Sequence, residues 1–372
     1  MTASREPIRL GRGGEFDVIR SILAHARQPG ADVFIGPGDD GLVLQGGWVV
    51  SCDLSMEGIH FRREWMSLRE MGYRAAAAAL SDLAAMAADV EGVVASIAAS
   101  TEDGAEGVEE VAAGIREAVE SVGGAVLGGD LSASVGPLVV DVVALGRTDQ
   151  PVSRAGAAPG DTVWVTGRLG GAAGAVRAWQ EGGEPSSALR ESFVRPTPRI
   201  AEARWLVERV RLHALIDVSD GVAGDAGHLA AAGAVRIVLD ADAIPVHPSL
   251  EGGEGSRLDL ALRGGEDYEL LFTADEESVE AVREDFEDRF GVALTAIGGV
   301  AEGEGVFLAL PEDGEGETTG MEAGTESEGG AVVPLDNGGF SHFERTDSGS
   351  SAGSGGGVAP APGERSAGGA SE

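Results

Sequence analysis

The sequence contains no lysine, so all 27 of its basic residues are arginine. That absence removes several kinds of chemistry at once. A Gly-x4-Gly-Lys-Ser/Thr phosphate loop, a protein-kinase strand lysine and a Schiff-base enzyme all need the missing ammonium group. Cysteine is reduced to Cys52 alone, which rules out a disulfide framework or a cysteine metal cluster within the chain. Six histidines are scattered without the spacing of a zinc site. Aromatic residues make up only 5%, leaving Ala, Val, Leu and Ile to build the core. The most apolar helix-like run, Ala75 to Ala88, is too short to cross a bilayer and carries Asp82. The opening stretch, MTASREPIRLGRGGEF, has no apolar signal core. A soluble cytoplasmic protein with no membrane partner is expected.

Positive charge is also outnumbered: 62 acids face 27 bases, for a formal net charge of −35. Residues 311–330 hold seven acids and no base, and 346–372 hold three acids and one arginine, yet the rest of the chain is strongly acidic as well. Such self-repulsion opposes compaction in dilute buffer and is screened in molar salt, where the Debye length is about 3 Å. Together with the missing lysine it points to a salt-loaded cytoplasm rather than to an ordinary acidic protein. Nucleic acid is a poor partner, because binding it needs clustered cations.

What is present reads as α/β (α+β) architecture. With 372 residues there is room for two domains, each with its own core. Helical spacing of Phe16, Ile19, Leu23 and Ala26 predicts a helix over 15–26, and Ala-rich 68–88 and 105–121 predict two more. Between them GLVL, WVVSCD, VEGVVASIAAS, GAVLGGD and PLVVDVVALG read as strands. Pro and Gly at 153–161 mark a boundary. Strands TVWVTG, RIVLD, YELLFTA and ALTAIGGV follow, with helices near 199–210 and 276–290. The expected division is 1–150, 151–345 and a disordered Gly/Ser-rich tail at 346–372, with an acidic low-complexity insert at 311–330.

One short stretch, FIGPGDDGLVL, matches the Gly36-x-Gly38-x-x-Gly41 pattern of a dinucleotide site. Yet it places Asp39 and Asp40 where a pyrophosphate would sit, and it leads into a strand rather than a helix. Acids also end other apolar runs: Asp53 after WVVSC, Asp130 after AVLGG, and Asp217 and Asp220 in HALIDVSD. Asp82 sits inside an alanine-rich helix, where a lone carboxylate is expensive to bury unless paired or metal-bound. Any single one of these can be a helix cap or turn former. Six of them from different elements, with no lysine to offset them, suit Mg²⁺, a hard cation that takes carboxylates, water and phosphate oxygens. Magnesium would then supply the positive charge that lets acids hold a nucleotide's phosphates.

The segments GPGDDGLVL, SCDLSMEGIHF, GYRAAAAALSDLAAMAA, GGDLSAS, SRAGAAPGDTVWVTGRLG, IDVSDGVAGD, GGEDYELLFT and GGFSHF occur in the order found in thiamine-monophosphate kinases. The chain resembles that family from Gly14 to Phe343, outside the acidic insert and the tail, and its composition suggests a haloarchaeal member. The family shares its superfamily with aminoimidazole-ribonucleotide synthetase, selenophosphate synthetase and the hydrogenase-maturation dehydratase. The resemblance implies a homodimer of two-domain subunits, with the N-terminal sheets forming the interface and ATP between the two domains. It implies transfer of the ATP γ-phosphoryl group to thiamine monophosphate, giving thiamine diphosphate.

Carried over position by position, the resemblance implies metal ligands at Asp39, Ser51, Cys52, Asp53, Asp82, Asp130, Asp217 and Asp220. Catalysis is placed on Asp53, Asp130 and Asp220. Nucleotide contacts are implied at Gly129, Asp130, Arg154 and Ser219, and substrate contacts at His60, Glu266 and Phe340. His60 and Phe340 also admit purely structural readings. Cys52 stands where threonine is usual, and a thiol is a poor magnesium donor, so this position is expected to act through its backbone carbonyl. The acceptor is already an ionised phosphate, so no strong base is needed, and positioning plus charge neutralisation carry the reaction. The dehydratase is disfavoured by a C-terminus, GERSAGGASE, without cysteine, and selenophosphate synthetase by the missing lysine and N-terminal cysteine. Aminoimidazole-ribonucleotide synthetase is opposed by GGEDYEL and GGFSHF. The other reading left open is a non-catalytic nucleotide-binding protein.

Overall fold

The computed structural model describes residues 14–26, 30–311 and 331–335, with side chains from residue 17 onward. Helix α1 (Gly14–His25) is followed by strands β1 (Val33–Ile35), β2 (Leu42–Leu44) and β3 (Trp48–Met56), helix α2 (Leu68–Ala85) and β4 (Asp89–Ser100). Then come α3 (Gly104–Ser121), β5 (Ala125–Ser134), β6 (Val139–Arg147), β7 (Thr162–Thr166), α4 (Gly171–Gln180), α5 (Ser187–Val194) and α6 (Ile200–Val207). The chain continues through β8 (Ala214–Asp217), α7 (Val222–Gly233), β9 (Arg236–Asp240), α8 (Glu254–Arg263) and β10 (Leu270–Ala274). It ends in α9 (Glu276–Phe290), β11 (Leu294–Ala301), β12 (Gly305–Ala309) and β13 (Val332–Pro334).

Two mixed sheets result, one in the order β1-β2-β3-β6-β4-β5 and the other β13-β12-β9-β11-β7-β10-β8. Helices α4, α5, α7 and α8 were not anticipated, because their stretches are rich in Gly, Ser or charge and show little apolar periodicity. β12 and β13 pair antiparallel across the acidic insert, and Leu310 N–H donates to the Ala331 carbonyl at 2.9 Å. The insert itself and the tail lie outside the described residues.

Helix α2 joins the two halves. Its start is set by a capping box in which Ser67 and Glu70 satisfy each other's backbone N–H groups. Alanine then supplies high helix propensity with little bulk. On one side α2 packs on β3, β4 and β6; on another it meets α3; on a third it meets α5, α6 and β8. The α2–α3 crossing is so close that a Cβ on Gly114 would lie 1.8 Å from the Arg69 carbonyl oxygen, and one on Gly72 would lie 2.0 Å from that of Val111. One hydrophobic core therefore runs from Val93, Val140 and Leu80 through to Trp164, Leu215 and Phe286 in the second half. The expected separate core exists only on the far face of the second sheet, where Val163, Ile216, Leu229 and Leu271 pack.

In the first sheet α2 and α3 cover one face. The other face and the β5 edge carry exposed apolar side chains: Leu54 is 50% exposed, Val126 46%, Leu127 55% and Leu131 67%.

Candidate active site

Strand β3 alternates its side chains, so Ser51 and Asp53 point toward α2 while Cys52 points to the opposite, exposed face. Asp82 projects from α2, Asp217 ends β8, and Asp39 and Asp40 precede β2. Carboxylate oxygens of Asp40, Asp82 and Asp217 all lie within 4.8 Å of one another. The Ser51 hydroxyl sits between the Asp40 carbonyl oxygen, at 2.9 Å, and the Asp82 carboxylate. On the other side of Asp217, the Ser81 hydroxyl donates to its Oδ2 at 2.6 Å.

Three carboxylates packed this tightly resist ionising together. Burial pushes the Asp217 carboxyl up to about 7, with Asp40 adding to the rise. Burial likewise drives Asp82 well above the carboxylate range, reinforced by Asp217, Asp40 and Asp53. Asp39 rises to about 7 through burial and the neighbouring Asp40. The cluster is buried and offers only oxygen donors, a set that a hard divalent ion such as Mg²⁺ would fit.

A cation does already lie beside it. Arg154 grips Asp40 with both Nε, at 3.1 Å, and Nη2, and its backbone N–H faces both Asp39 oxygens at 3.3 Å. Burial works against the guanidinium, but Asp40 more than offsets that and holds it firmly protonated. Arg154, implied by the resemblance as a nucleotide contact, therefore also adjoins the acids directly. Asp40 was not anticipated as a site residue, although its adjacency to Asp39 was visible in the sequence.

Just beyond β8 lies a second acidic group. Asp225, in the first turn of α7, accepts the backbone N–H groups of Ser219 and Asp220, both at 3.1 Å. Its carboxyl is raised by burial and by Asp220. Asp220, Asp225 and His228 form a second set of potential ligands within 4.8 Å of one another. Asp225 was also missed, since nothing in the local sequence VAGDAGHL sets this acid apart. The Glu266 N–H donates to the Ser219 carbonyl at 2.8 Å, which docks the GGEDYEL loop against this segment. One residue on, Asp267 accepts the Gly170 N–H at 2.8 Å and so tethers the start of α4.

The remaining expected residues are placed elsewhere. Asp130 and Gly129 lie on the edge strand β5, and Asp130 is exposed. Asp53 pairs with Val142, Val142 with Ala95, and Ala95 with Gly129. Three strand spacings of about 4.8 Å separate Asp53 from Gly129 by roughly 14 Å. Asp130, next along β5, points to the opposite face of the sheet from Asp53. Gly129 helps line an apolar groove of about 250 Å³ with Ala95, Ile97, Ile115 and Val126, and Asp130 sits at its edge. A Cβ on Gly129 would lie 2.1 Å from the Ala95 carbonyl oxygen, so this position must remain glycine. The His60 Nδ1 accepts the Met56 N–H at 3.0 Å in the turn after β3. Phe340 lies outside the described residues.

Residues 38–148 match the family AIR synthase related protein, N-terminal domain, and 158–310 match its C-terminal domain. The thiamine-monophosphate kinase of Rhodopirellula baltica is 34% identical over 306 residues, covering 77% of this chain and 91% of that protein. This chain belongs to the thiamine-monophosphate kinase family. The crystal structure of the Stenotrophomonas maltophilia family member is 33% identical and superimposes with a TM-score of 0.66, covering 82% of this chain and 98% of that one. A second structure, AaThiL complexed with AMPPCP and TMP, has a TM-score of 0.68 at 28% identity and covers 80% of this chain and 93% of that one. The two-domain family fold expected from the sequence is the fold observed. Among the described residues no helix is long and apolar enough to cross a membrane.

Proposed function

We infer that this chain is an ATP-dependent thiamine-monophosphate kinase that makes thiamine diphosphate by in-line transfer of the γ-phosphoryl group. The observation that carries the reading is the convergence of Asp40, Asp82 and Asp217, from a loop, a helix and a strand, within 4.8 Å of one another. Relatives with this name match most of the chain, and AaThiL was solved with an ATP analogue and TMP.

Asp39, Ser51, Asp53, Asp82, Asp217 and Asp220 would hold magnesium, joined by Asp40 and by the Cys52 backbone carbonyl. The outward-facing Cys52 thiol supports that last assignment. When bound, Mg²⁺ neutralises the donor and acceptor phosphates so that they can approach each other. Arg154 presents a fixed guanidinium for nucleotide oxygens, and Ser219 lies on the same cleft. Glu266 offers a carboxylate to the aminopyrimidine or thiazolium of the substrate, with His60 and Phe340 completing the substrate contacts. The groove beside Gly129 suits an adenine base. The reading assigns nucleotide, metal and dimerisation roles to residues 1–150 in a cytoplasmic, salt-adapted enzyme.

Asp130 cannot share an ion with Asp53 of its own chain across about 14 Å and two faces of a sheet. The exposed apolar β5 edge supports a homodimer in which Asp130 of one subunit completes the site of the other. The test is thiamine diphosphate formation with Mg²⁺ at high KCl. Asp53→Asn and Asp130→Asn should each abolish it, and mixed dimers of the two variants should regain activity, to about a quarter of wild type for random pairing. Product formed equally well by both single variants refutes the metal site; inactive mixed dimers refute the shared one.

A further inference from the structure

Arginine 74 is nearly sealed inside the protein, with 3% of its side chain exposed. It leaves α2 on the same helical face as Ser81, seven residues on, so the two residues meet the second half of the protein side by side. Ser81 reaches Asp217. Arg74 reaches Glu266: its Nη2 forms an ion pair with Glu266 Oε1, while Nη1 donates to the Phe193 carbonyl. The guanidinium lies over the Phe193 ring at 3.9 Å from its centroid and near the Tyr268 ring at 5.8 Å. It is thus clamped between two rings and a carbonyl, with one direction left for its charge.

The residue it faces is strained. Glu266 has φ 72° and Tyr268 φ 51°, both in the left-handed region that side chains other than glycine seldom adopt. Each such residue persists only where its surroundings hold it. The Glu266 N–H bond to Ser219 fixes the backbone, and Arg74 fixes one carboxylate oxygen. Glu266 keeps 30% of its side chain exposed, so one carboxylate oxygen is anchored while part of the side chain stays accessible. The Arg74 Nη2 atom is buried without a well-aligned hydrogen bond, as expected of a group whose attraction to its partner is chiefly charge.

We propose that Arg74 is a positioning residue for substrate recognition, holding Glu266 as an oriented carboxylate across the domain junction so that it accepts a hydrogen bond from the amine-bearing ring of the substrate. This deepens the reading of Glu266 as a substrate contact and rests on it. An ion-paired carboxylate offers acceptors only, so the ligand group it selects must be a donor or a cation. Lysine would keep the charge but lose the planar fork and the ring stacking that aim it.

The test measures Michaelis constants for thiamine monophosphate and ATP separately, in Glu266→Gln, Arg74→Lys, Arg74→Met and the double variant Arg74→Met/Glu266→Gln. Loss of an oriented, charge-assisted contact should raise the thiamine monophosphate constant roughly ten- to a hundredfold in Glu266→Gln and in Arg74→Met, and less in Arg74→Lys. The ATP constant should stay within about twofold. The double variant should be no worse than Glu266→Gln alone, because Arg74 acts through Glu266. It also removes both charges of the pair, which keeps the comparison available should Arg74→Met alone fold poorly. An unchanged thiamine monophosphate constant in Glu266→Gln sinks the substrate role of Glu266 and this proposal with it. A raised constant in Glu266→Gln beside an unchanged one in Arg74→Met, or a full additional loss from Arg74→Met in the double variant, overturns the role of Arg74 alone.

Discussion

Replacing Asp217 by asparagine should stabilise the protein in the absence of magnesium while destroying its activity. Asp217 ionises near 3.8 in an open chain and only at about 7 when folded, because it is buried and faces Asp40. Between these values the folded protein keeps a proton that the unfolded chain has lost. Stability from this residue is therefore intact below about 3.8 and falls as pH rises toward 7. At about 1.4 kcal/mol per pH unit, the penalty at pH 8 is on the order of 4 kcal/mol, and between pH 5 and pH 8 it grows by roughly 2–3 kcal/mol. Asparagine keeps an oxygen to accept the Ser81 hydroxyl and never ionises, so it escapes this loss.

The assay is thermal unfolding at fixed KCl with a chelator present, at pH 5 and at pH 8. For a chain of this length about 1 kcal/mol corresponds to roughly 1 °C, so the advantage of the variant should widen by about 3 °C over that interval. Added Mg²⁺ should raise the melting temperature of the wild type by more than that of the variant, because the variant loses one carboxylate of the Asp40–Asp82–Asp217 cluster. A gap between the two that stays constant from pH 5 to pH 8, or a wild type that gains on the variant as pH rises, refutes the picture of repelling carboxylates held together for a cation.

Salt should matter through the whole surface. With a net charge of −35, lowering KCl from molar to about 0.1 M lengthens the Debye length from about 3 to 10 Å and should lower the melting temperature markedly; a midpoint unaffected by KCl counts against salt adaptation. Gly114→Ala should push α2 and α3 apart, since its Cβ would lie 1.8 Å from a backbone oxygen, and cost several kcal/mol despite the better helix propensity of alanine. Denaturant unfolding reads this directly, and a neutral or stabilising result would show that the crossing is looser than described.

The alternation of apolar strands with acid-tipped ends was legible because period and punctuation are local properties. So was the oddity of Asp82, a charge amid alanines. Strands β3 to β6 and helices α2, α3 and α9 follow from spacing and composition alone. Helices α4, α5, α7 and α8 did not, since their stability comes from the layers they pack against and from tethers such as Asp267 on Gly170. Asp225 illustrates the same limit in the site. Its role depends on two N–H groups presented by a turn that forms only once β8 and α7 are in place.

Residue types alone determined the kind of chemistry open to this protein. Without lysine, and with acids at the ends of its strands, the full positive charges available to meet phosphate are arginine or a bound metal ion. Which acids come together was decided by tertiary structure, because charges interact through space over a few ångströms and sequence separation says nothing about that distance. Asp40, Asp82 and Asp217 meet only because α2 is buried between two sheets. Asp53 and Asp130, equally prominent in the sequence, are parted by the strands that order themselves between them.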